Sequence, residues 1–193
     1  MRSRPIDYEL IAIGASWGGL HAVGTLLSGI PQELDQTIVV AQHRSAESVR
    51  GVLESLLQRH IARPVSEPGD KDPVERAHVY VAPADYHLLV DDGRFALSLE
   101  ARVQYARPSI DVLFQSVADG YRERAIGIVL TGANADGAAG VAAIKRNGGV
   151  AIVQDPRTAT RKAMPEAALA AAEADAVLPL EEIGPFLYGL CCV

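Results

Sequence analysis

The chain has few cysteines, no long apolar run and no basic cluster, and each absence removes a class of protein. Only two cysteines occur among 193 residues, the adjacent Cys191 and Cys192. Neighbouring cysteines rarely bond to each other, and no second pair could form a disulfide framework or a zinc site. No apolar run approaches the ~18 residues of a membrane-spanning helix, and the N-terminus lacks a secretory signal pattern. We therefore expect a cytoplasmic protein without membrane insertion.

The charge balance argues against nucleic acid as the main partner. Lys and Arg number 18 and Asp and Glu number 24, for a formal net charge of −6. The basic residues are scattered among acids, whereas a nucleic-acid or acidic-membrane surface requires a clustered basic face. A composition of 49% hydrophobic and 22% charged residues is enough for a sizeable core. We expect a single domain over residues 1–193, because this length leaves little room for a second.

Short apolar runs alternate with longer segments of helical periodicity. The predicted strands are residues 10–13, 37–41, 78–82, 126–130, 150–153 and 176–178, and the predicted helices are residues 20–27, 49–60, 110–121, 138–146 and 165–173. This alternation is typical of βαβ units, so we expect a three-layer α/β domain with a mostly parallel sheet. The Asp92-Gly93 turn within residues 87–99 predicts an added β-hairpin, which we place at the sheet edge.

Polar side chains follow the predicted strands at the points where the strands end. In an open α/β sheet, ligands and reacting groups gather at the carboxyl ends of the strands. Ser16 follows the first strand, His43 follows the second, and Asp136 lies in the loop after residues 126–130. A hydroxyl, an imidazole and a carboxylate at one edge could form a hydrolytic triad. The same edge is expected to carry Gln42, Thr131, Asn134, Gln154 and Asp155.

Ser16 lies in the segment Gly14-Ala15-Ser16-Trp17-Gly18, which fits the nucleophile elbow G-x-S-x-G. In that motif a tight strand-to-helix turn exposes the serine oxygen, and the helix start offers N–H groups to an oxyanion. Two other interpretations stay open, since the same helix start could bind a phosphate and Ser16 could be only an N-cap. The glycine spacing does not fit the dinucleotide motif G-x-G-x-x-G, and no lysine completes a P-loop.

His43 and Asp136 are the best-placed general base and acid. His43 leaves the sheet beside Ser16 and could accept the serine proton, whereas His21, His60, His78 and His87 fit less well by position. Asp136 could accept a hydrogen bond from the second nitrogen of His43, although an Asp before a helix is also a common N-cap. The chain order Ser, His, Asp differs from that of the α/β-hydrolases, so we do not expect that fold.

Seven segments occur in order along residues 10–187: IAIGASWGG, VVAQH, HVYVAPADYHLLV, RPSIDVLFQSVA, GIVLTGANADGAAG, GGVAIVQDPRTAT and MPEAAL. Together they resemble the catalytic domain of the chemotaxis protein-glutamate methylesterases, the CheB family. The resemblance implies a Rossmann-like α/β/α fold and a serine hydrolase that demethylates glutamate methyl esters on chemoreceptors, releases methanol and also deamidates particular glutamines. It implies Ser16 as nucleophile, His43 as base and Asp136 as acid, with no metal or organic cofactor.

The sequence also departs from the family pattern. Family members usually carry an N-terminal receiver domain, and we expect this chain to be the catalytic domain alone, active without a phosphoryl donor. Trp17 stands where better-studied members have a threonine, and Ala133 and Asn134 replace a methionine and a glycine. We expect the Trp17 N–H and the loop of Gly132, Ala133 and Asn134 to line the oxyanion and substrate cleft, with the Trp17 indole lining or partly covering it.

The implied partner is a methylated cytoplasmic helix of a chemoreceptor or of a similar signalling protein. Two alternatives remain at this point. The protein could be an esterase or amidase of the same fold that acts on another protein, or a non-catalytic module that binds a signalling partner. A fluorophosphonate probe that labels Ser16 would distinguish an enzyme from a binding module.

Overall fold

Strands and helices alternate along the chain, as the sequence predicts. The structure is a computed structural model that describes residues 6–192, so residues 1–5 and Val193, at the two ends of the predicted domain, lie outside it. The strands are β1 (Leu10–Ala15), β2 (Thr37–Gln42), β3 (Val65–Ser66), β4 (Val79–Val81), β5 (His87–Asp91), β6 (Arg94–Ser98), β7 (Ala125–Val129), β8 (Val150–Gln154) and β9 (Ala176–Leu178). The helices are α1 (Gly19–Ser28), α2 (Val52–Leu57), α3 (Ile110–Tyr121), α4 (Ala138–Arg146), α5 (Ala163–Ala171) and α6 (Leu180–Cys191).

The main sheet is parallel and has β1 at its centre. Its seven strands lie in the order β3-β4-β2-β1-β7-β8-β9, and every pairing between them is parallel. The chain builds one side of β1 through β2 and β4 and then crosses to β7 on the other side. The strand order therefore reverses beside β1, the position at which open α/β sheets bind ligands. The predicted fold class is confirmed.

Side chains of the central strands alternate between two cores, one on each face of the sheet. In β1, Leu10 and Ala12 join the core that includes α3, α4 and α5. Ile11 and Ile13 join the opposite core, which includes α1 and α6. Strands buried on both faces carry apolar residues at every position, which explains why they appear in the sequence as unbroken apolar runs. The three layers follow from this double burial.

The hairpin of β5 and β6 is a separate sheet that packs on α3. These two strands pair with each other as a separate antiparallel sheet, and Arg94 of β6 forms one further antiparallel bridge with Pro73. Leu88, Val90 and Phe95 are buried in the same core as Phe114 of α3. The hairpin has one apolar face, and burying that face against α3 removes it from water. The predicted hairpin is therefore present, and besides α3 it contacts the main sheet next to its edge strand, where the centroid of the Phe95 ring lies 4.5 Å from that of the Tyr80 ring in β4.

Two elements were not predicted from the sequence. The strand β3 has only two residues, too few for a periodic signal. The helix α6 contains Pro185 in its interior, a residue that normally argues against a helix at that point. Within residues 6–192, no helix has both the length and the apolar character needed to cross a bilayer.

Candidate active site

Three loops at the carboxyl edge of the sheet bring Ser16, His43 and Asp136 together. Ser16 follows β1, His43 follows β2, and Asp136 lies between β7 and α4. The Nδ1 atom of His43 lies 3.2 Å from the Oγ atom of Ser16. The Nε2 atom of His43 lies 2.7 Å from Oδ2 of Asp136. The three predicted catalytic residues thus form one hydrogen-bonded chain at the point where the strand order reverses.

The turn that carries Ser16 is held by the neighbouring strands. The N–H group of Ser16 donates to the carbonyl of Thr131 after β7, at 2.9 Å. Gly18 has a φ of 79° at the start of α1, a conformation that favours glycine. A Cβ atom on Gly19 would lie only 2.0 Å from Oε1 of Gln42. The turn therefore uses one glycine for its backbone conformation and the next for a close side-chain contact.

The Asp136 carboxylate is fully buried and accepts hydrogen bonds from three groups besides His43. They are the Ser109 hydroxyl at 2.8 Å, the Ile110 N–H at 2.7 Å and the Asp111 N–H at 2.9 Å. Burial opposes ionisation, but the hydrogen bonds from His43 and from the two N–H groups outweigh it, so the pKa of Asp136 lies below its ordinary value. The group is therefore an ionised carboxylate at neutral pH.

The ionised carboxylate determines which nitrogen of His43 carries the proton. A carboxylate can only accept hydrogen bonds, so the neutral imidazole has its proton on Nε2, facing Asp136. Nδ1 is then unprotonated and faces the Ser16 hydroxyl, so it is the nitrogen that can accept the serine proton. The His43 side chain is only 13% exposed. The site thus combines a hydroxyl, an imidazole of fixed tautomer and a buried carboxylate in one hydrogen-bonded row.

The N–H groups near Ser16 differ in whether they are already paired. Within residues 6–192, the N–H group of Trp17 has no intramolecular acceptor. The N–H group of Gly132 donates to the Arg161 carbonyl at 3.1 Å. Trp17 can therefore offer a free donor directly after the nucleophile, as an oxyanion requires, whereas the Gly132 N–H is occupied. The expected oxyanion role thus rests on Trp17 rather than on Gly132.

The side chain of Trp17 is 62% exposed. The Arg161 guanidinium lies 5.5 Å from the centroid of its indole ring, within the range of a cation–π contact. The Thr131 hydroxyl donates to the Trp17 carbonyl at 2.9 Å and accepts from the Arg161 N–H at 2.8 Å. Thr131 therefore holds the turn after Ser16 and the loop before α5 next to each other.

Two clefts of different polarity meet at His43. One, of about 380 Å³, is lined mainly by apolar residues of α1, of α2 and of the loop before α2: Leu20, Val49, Val52, Leu53 and Leu56. The other, of about 330 Å³, is lined by Arg44, Arg102, Arg107 and Asn134, among others. Ala133, next to Asn134, is exposed. A substrate that reaches His43 would thus lie between an apolar surface and one rich in guanidinium groups.

Comparisons with known proteins identify the family to which the chain belongs. A family model described as CheB methylesterase matches residues 11–187. The chain belongs to the CheB methylesterase family. A Leptospira interrogans relative is 44% identical over 179 residues, which are 92% of each chain. A Vibrio vulnificus protein named protein-glutamate methylesterase/protein-glutamine glutaminase 2 is 39% identical, over 95% of this chain and 54% of that protein.

A solved structure has the same fold. The crystal structure of the Thermotoga maritima CheB methylesterase catalytic domain matches with a TM-score of 0.86 and 30% sequence identity. The match covers 96% of this chain and 100% of that domain. The predicted resemblance to the CheB catalytic domain is therefore confirmed.

Gln42 is a residue of this CheB site whose role sequence reasoning missed. Its Nε2 atom donates to the carbonyls of Ser16 and His43, each at 2.9 Å. It thereby joins the two loops that carry Ser16 and His43. The only available signal was its position at a strand end. Ser109 and Asp111 were missed as well, because they reach the Asp136 region from more than twenty residues away, where no local pattern predicts a contact.

His60, His78 and the cysteines belong to other parts of the CheB fold. The ring of His60 contacts the Ser28 hydroxyl at 2.9 Å, and the His78 ring stacks on Tyr80. Burial raises the pKa of Cys191 to about 11, so this residue is a thiol rather than a reactive thiolate at neutral pH. Within residues 6–192, no group of three or more His, Cys, Asp or Glu side chains could hold a metal ion.

Proposed function

We propose that the protein hydrolyses glutamate methyl esters on chemoreceptors and deamidates receptor glutamines through a triad of Ser16, His43 and Asp136. The observation that carries the proposal is the unbroken hydrogen-bonded chain from Asp136 through His43 to Ser16. A buried carboxylate, an imidazole of fixed tautomer and a hydroxyl before a helix are the groups that covalent ester hydrolysis requires. Membership of the CheB methylesterase family and the names of relatives support the substrate class.

In the first half of the reaction, Ser16 is acylated. Its Oγ atom attacks the ester carbonyl carbon while Nδ1 of His43 takes the hydroxyl proton. The oxyanion that forms accepts a hydrogen bond from the Trp17 N–H, and the Asp136 carboxylate stabilises the imidazolium. The bond between carbon and methoxy oxygen then breaks, and the proton on Nδ1 passes to the leaving group. Methanol leaves, and the glutamyl group is esterified to Ser16.

In the second half, water replaces methanol in the same geometry. Nδ1 of His43 takes a proton from water, the oxygen attacks the acyl carbon, and the proton returns to the Ser16 oxygen as the ester bond breaks. The product is a glutamate carboxylate. A glutamine side chain follows the same route with ammonia as the leaving group, which supports the proposal of a second activity.

We further propose that the substrate is a methylated cytoplasmic helix of a chemoreceptor, or a similar segment of another signalling protein. We also propose that the enzyme acts in the cytoplasm as a single catalytic domain. The arrangement at His43 suits a protein surface, because the clefts beside the ring are open and both apolar and basic residues line them. Such a surface can contact side chains on both sides of the ester.

The proposal is tested by incubating the protein with membranes that contain a methylated chemoreceptor and mapping receptor peptides by mass spectrometry. We expect methylated glutamates to become free glutamates and particular glutamines to become glutamates, with no change when Ser16→Ala is used. If receptor peptides stay unchanged while a fluorophosphonate probe labels Ser16, the protein is an esterase for another substrate. If neither change occurs, the protein is a binding module and the proposal is wrong.

A further inference from the structure

Two buried aspartates exchange hydrogen bonds between the starts of α3 and α4. Asp136, just before α4, accepts from the N–H groups of Ile110 and Asp111 in the first turn of α3. Asp111, in that first turn, accepts from the N–H groups of Gly137 at 2.8 Å and Gly140 at 2.7 Å, at the start of α4. The Asp136 carboxylate therefore binds the start of α3, where Asp111 lies, and the Asp111 carboxylate binds the start of α4, next to Asp136.

Asp111 supplies an acceptor that α4 does not have in its own sequence. The N–H groups at a helix start have no partner within the helix, and the residue at the N-cap of α4 is Gly137, which has no side chain to accept from them. Gly137 and Gly140 are both buried, so water does not readily replace a lost acceptor. Without the Asp111 carboxylate, two buried N–H groups would be left unsatisfied.

We propose that Asp111 is a positioning residue for the reaction, acting through Asp136. This inference rests on the proposed function, because it assumes that Asp136 supports His43 in a triad. Gly137, whose N–H donates to Asp111, is bonded directly to Asp136. A shift of Gly137 would move the Asp136 carboxylate relative to Nε2 of His43, which now lies 2.7 Å away. A displacement of about 1 Å in a catalytic group can lower a rate by about 100-fold.

Asp111 holds the start of α4 through its acceptor oxygen, and its negative charge is not required for this. Burial raises the pKa of Asp111, the N–H groups of Gly140 and Gly137 oppose this, and the neighbouring Asp136 carboxylate raises it further. The oxygen that holds Gly137 and Gly140 is therefore useful, whereas a second negative charge beside Asp136 is unfavourable. An asparagine has the same shape and the same acceptor oxygen without the charge. It should keep α4 and Asp136 in place.

The experiment compares substitutions that keep or remove this acceptor. Asp111→Ala removes it, Asp111→Asn keeps it without charge, and Asp111→Glu keeps the charge but moves the carboxylate by one methylene. The matched control is Val117→Ala, which removes buried methyl groups from the same helix away from Asp136. For each variant, the rate of Ser16 labelling by a fluorophosphonate probe and kcat and KM on a small activated ester are measured, with thermal unfolding as the measure of stability.

We expect Asp111→Ala and Asp111→Glu to lower the labelling rate and kcat by about 10- to 100-fold at unchanged KM, and Asp111→Asn to stay within about threefold of the wild type. Val117→Ala should lower the unfolding temperature without lowering the labelling rate. The proposal is overturned if folded Asp111→Ala labels at the wild-type rate, if Asp111→Asn is as slow as Asp111→Glu, or if Val117→Ala is as slow as Asp111→Ala. If Asp111→Ala does not fold, the difference in labelling rate between Asp111→Asn and Asp111→Glu tests the proposal.

The same experiment separates this inference from the proposed function. Labelling of Ser16 requires a reactive serine but no receptor. If the wild type is labelled and the variants are not slowed, only the role of Asp111 is wrong. If the wild type is labelled and Asp111 behaves as expected while receptor peptides stay unchanged, only the substrate is wrong. If the wild type is not labelled, both are wrong.

Discussion

At the scale of single residues, Gln42 joins the loops of the proposed nucleophile and the proposed base. Its amide nitrogen donates to the carbonyls of Ser16 and His43, and Gly19 leaves space for the amide oxygen. That oxygen is buried and has no hydrogen-bond partner within the described residues. The amide is therefore only partly satisfied, which is a poor arrangement for stability alone. Its two donated hydrogen bonds hold the loops of Ser16 and His43 at a fixed separation.

Replacing Gln42 by leucine is expected to affect catalysis more than stability. Leucine loses both donated hydrogen bonds, but it also removes the unpartnered oxygen, so we expect a stability change of less than about 2 kcal/mol. We expect kcat to fall about 10-fold or more, because the distance between Ser16 and His43 is no longer fixed. Steady-state kinetics with a small activated ester and thermal unfolding measure the two effects.

Gln58 provides the matched control for this variant. Its amide nitrogen also donates to two carbonyls, those of Ile61 and Arg63, at 2.9 and 2.8 Å. This pair is at the exposed end of α2, where water can replace the amide. Gln58→Leu should therefore leave kcat unchanged. Equal kinetics for Gln42→Leu and the wild type would show that Gln42 does not position the catalytic loops.

Ionisation of Asp136 predicts a specific pH dependence of stability. Because its pKa is lower in the folded protein, the ionised carboxylate stabilises the fold at pH values above the unfolded-state pKa of about 3.9, and this contribution is lost as the pH falls through the folded pKa. The free energy of unfolding should therefore differ most between the wild type and Asp136→Asn at neutral pH. Denaturant unfolding over a pH series measures this difference.

The two proteins should converge in stability as the pH falls below about 4. A difference that stays constant over the whole pH range would contradict an ionised, hydrogen-bonded Asp136.

At neutral pH, the activity of Asp136→Asn should be lower by about 10³- to 10⁴-fold, because an amide can donate to His43 and stabilise the wrong tautomer. Near-wild-type activity would remove Asp136 from the triad.

At the scale of secondary-structure elements, the start of α3 connects the site to the rest of the fold. Ser109 caps α3 by accepting from the Val112 N–H at 3.3 Å, and its hydroxyl donates to Asp136. The ring of His87, in the hairpin strand β5, accepts from the Ser109 N–H at 3.2 Å. The hairpin, α3 and the acid are therefore linked by hydrogen bonds, although they are distant in sequence.

Ser109→Ala tests this link. We expect a loss of about 1–2 kcal/mol in the free energy of unfolding, the usual cost of removing an N-cap. We also expect a lower kcat at unchanged KM, because one oxygen of Asp136 loses a donor and the carboxylate is less firmly held. Urea unfolding and steady-state kinetics are the measurements.

Ser116→Ala is the control on the same helix. The Ser116 hydroxyl accepts from the Val90 N–H at 3.0 Å and donates to the Leu113 carbonyl at 2.8 Å, but it does not contact Asp136. Ser116→Ala should lower the free energy of unfolding about as much as Ser109→Ala does and leave kcat unchanged. If both variants lower kcat equally, the start of α3 has no specific role in holding the acid.

Strands were predictable from the sequence where burial on both faces made them unbroken apolar runs. All six predicted strands are present within two residues of their expected bounds; β1, β2, β4 and β7 are buried throughout, whereas β9 at the sheet edge is partly exposed. The packing of the hairpin on α3 was not predictable, since its apolar face could pack on a sheet edge or on a helix. The helix α6 was not predictable either, because Pro185 interrupts its pattern.

At the scale of the whole molecule, the topology of the sheet assembles the site. Ser16, His43 and Asp136 could be predicted together because carboxyl ends of parallel strands meet at one edge, and three neighbouring strands, β2, β1 and β7, precede them. The residues that hold them could not be predicted in this way. Gln42 and Asp111 act through side-chain contacts with backbone groups of distant loops, and such contacts depend on packing in three dimensions.

Methanol release shows whether Ser16 in this assembly hydrolyses glutamate methyl esters. Membranes with a radiolabelled methylated chemoreceptor are incubated with the wild type, with Ser16→Ala, and with Ser55→Ala, which removes a serine hydroxyl from the exposed surface of α2. We predict volatile label from the wild type and from Ser55→Ala and none above background from Ser16→Ala. Release by Ser16→Ala at the wild-type rate would show that Ser16 is not the nucleophile.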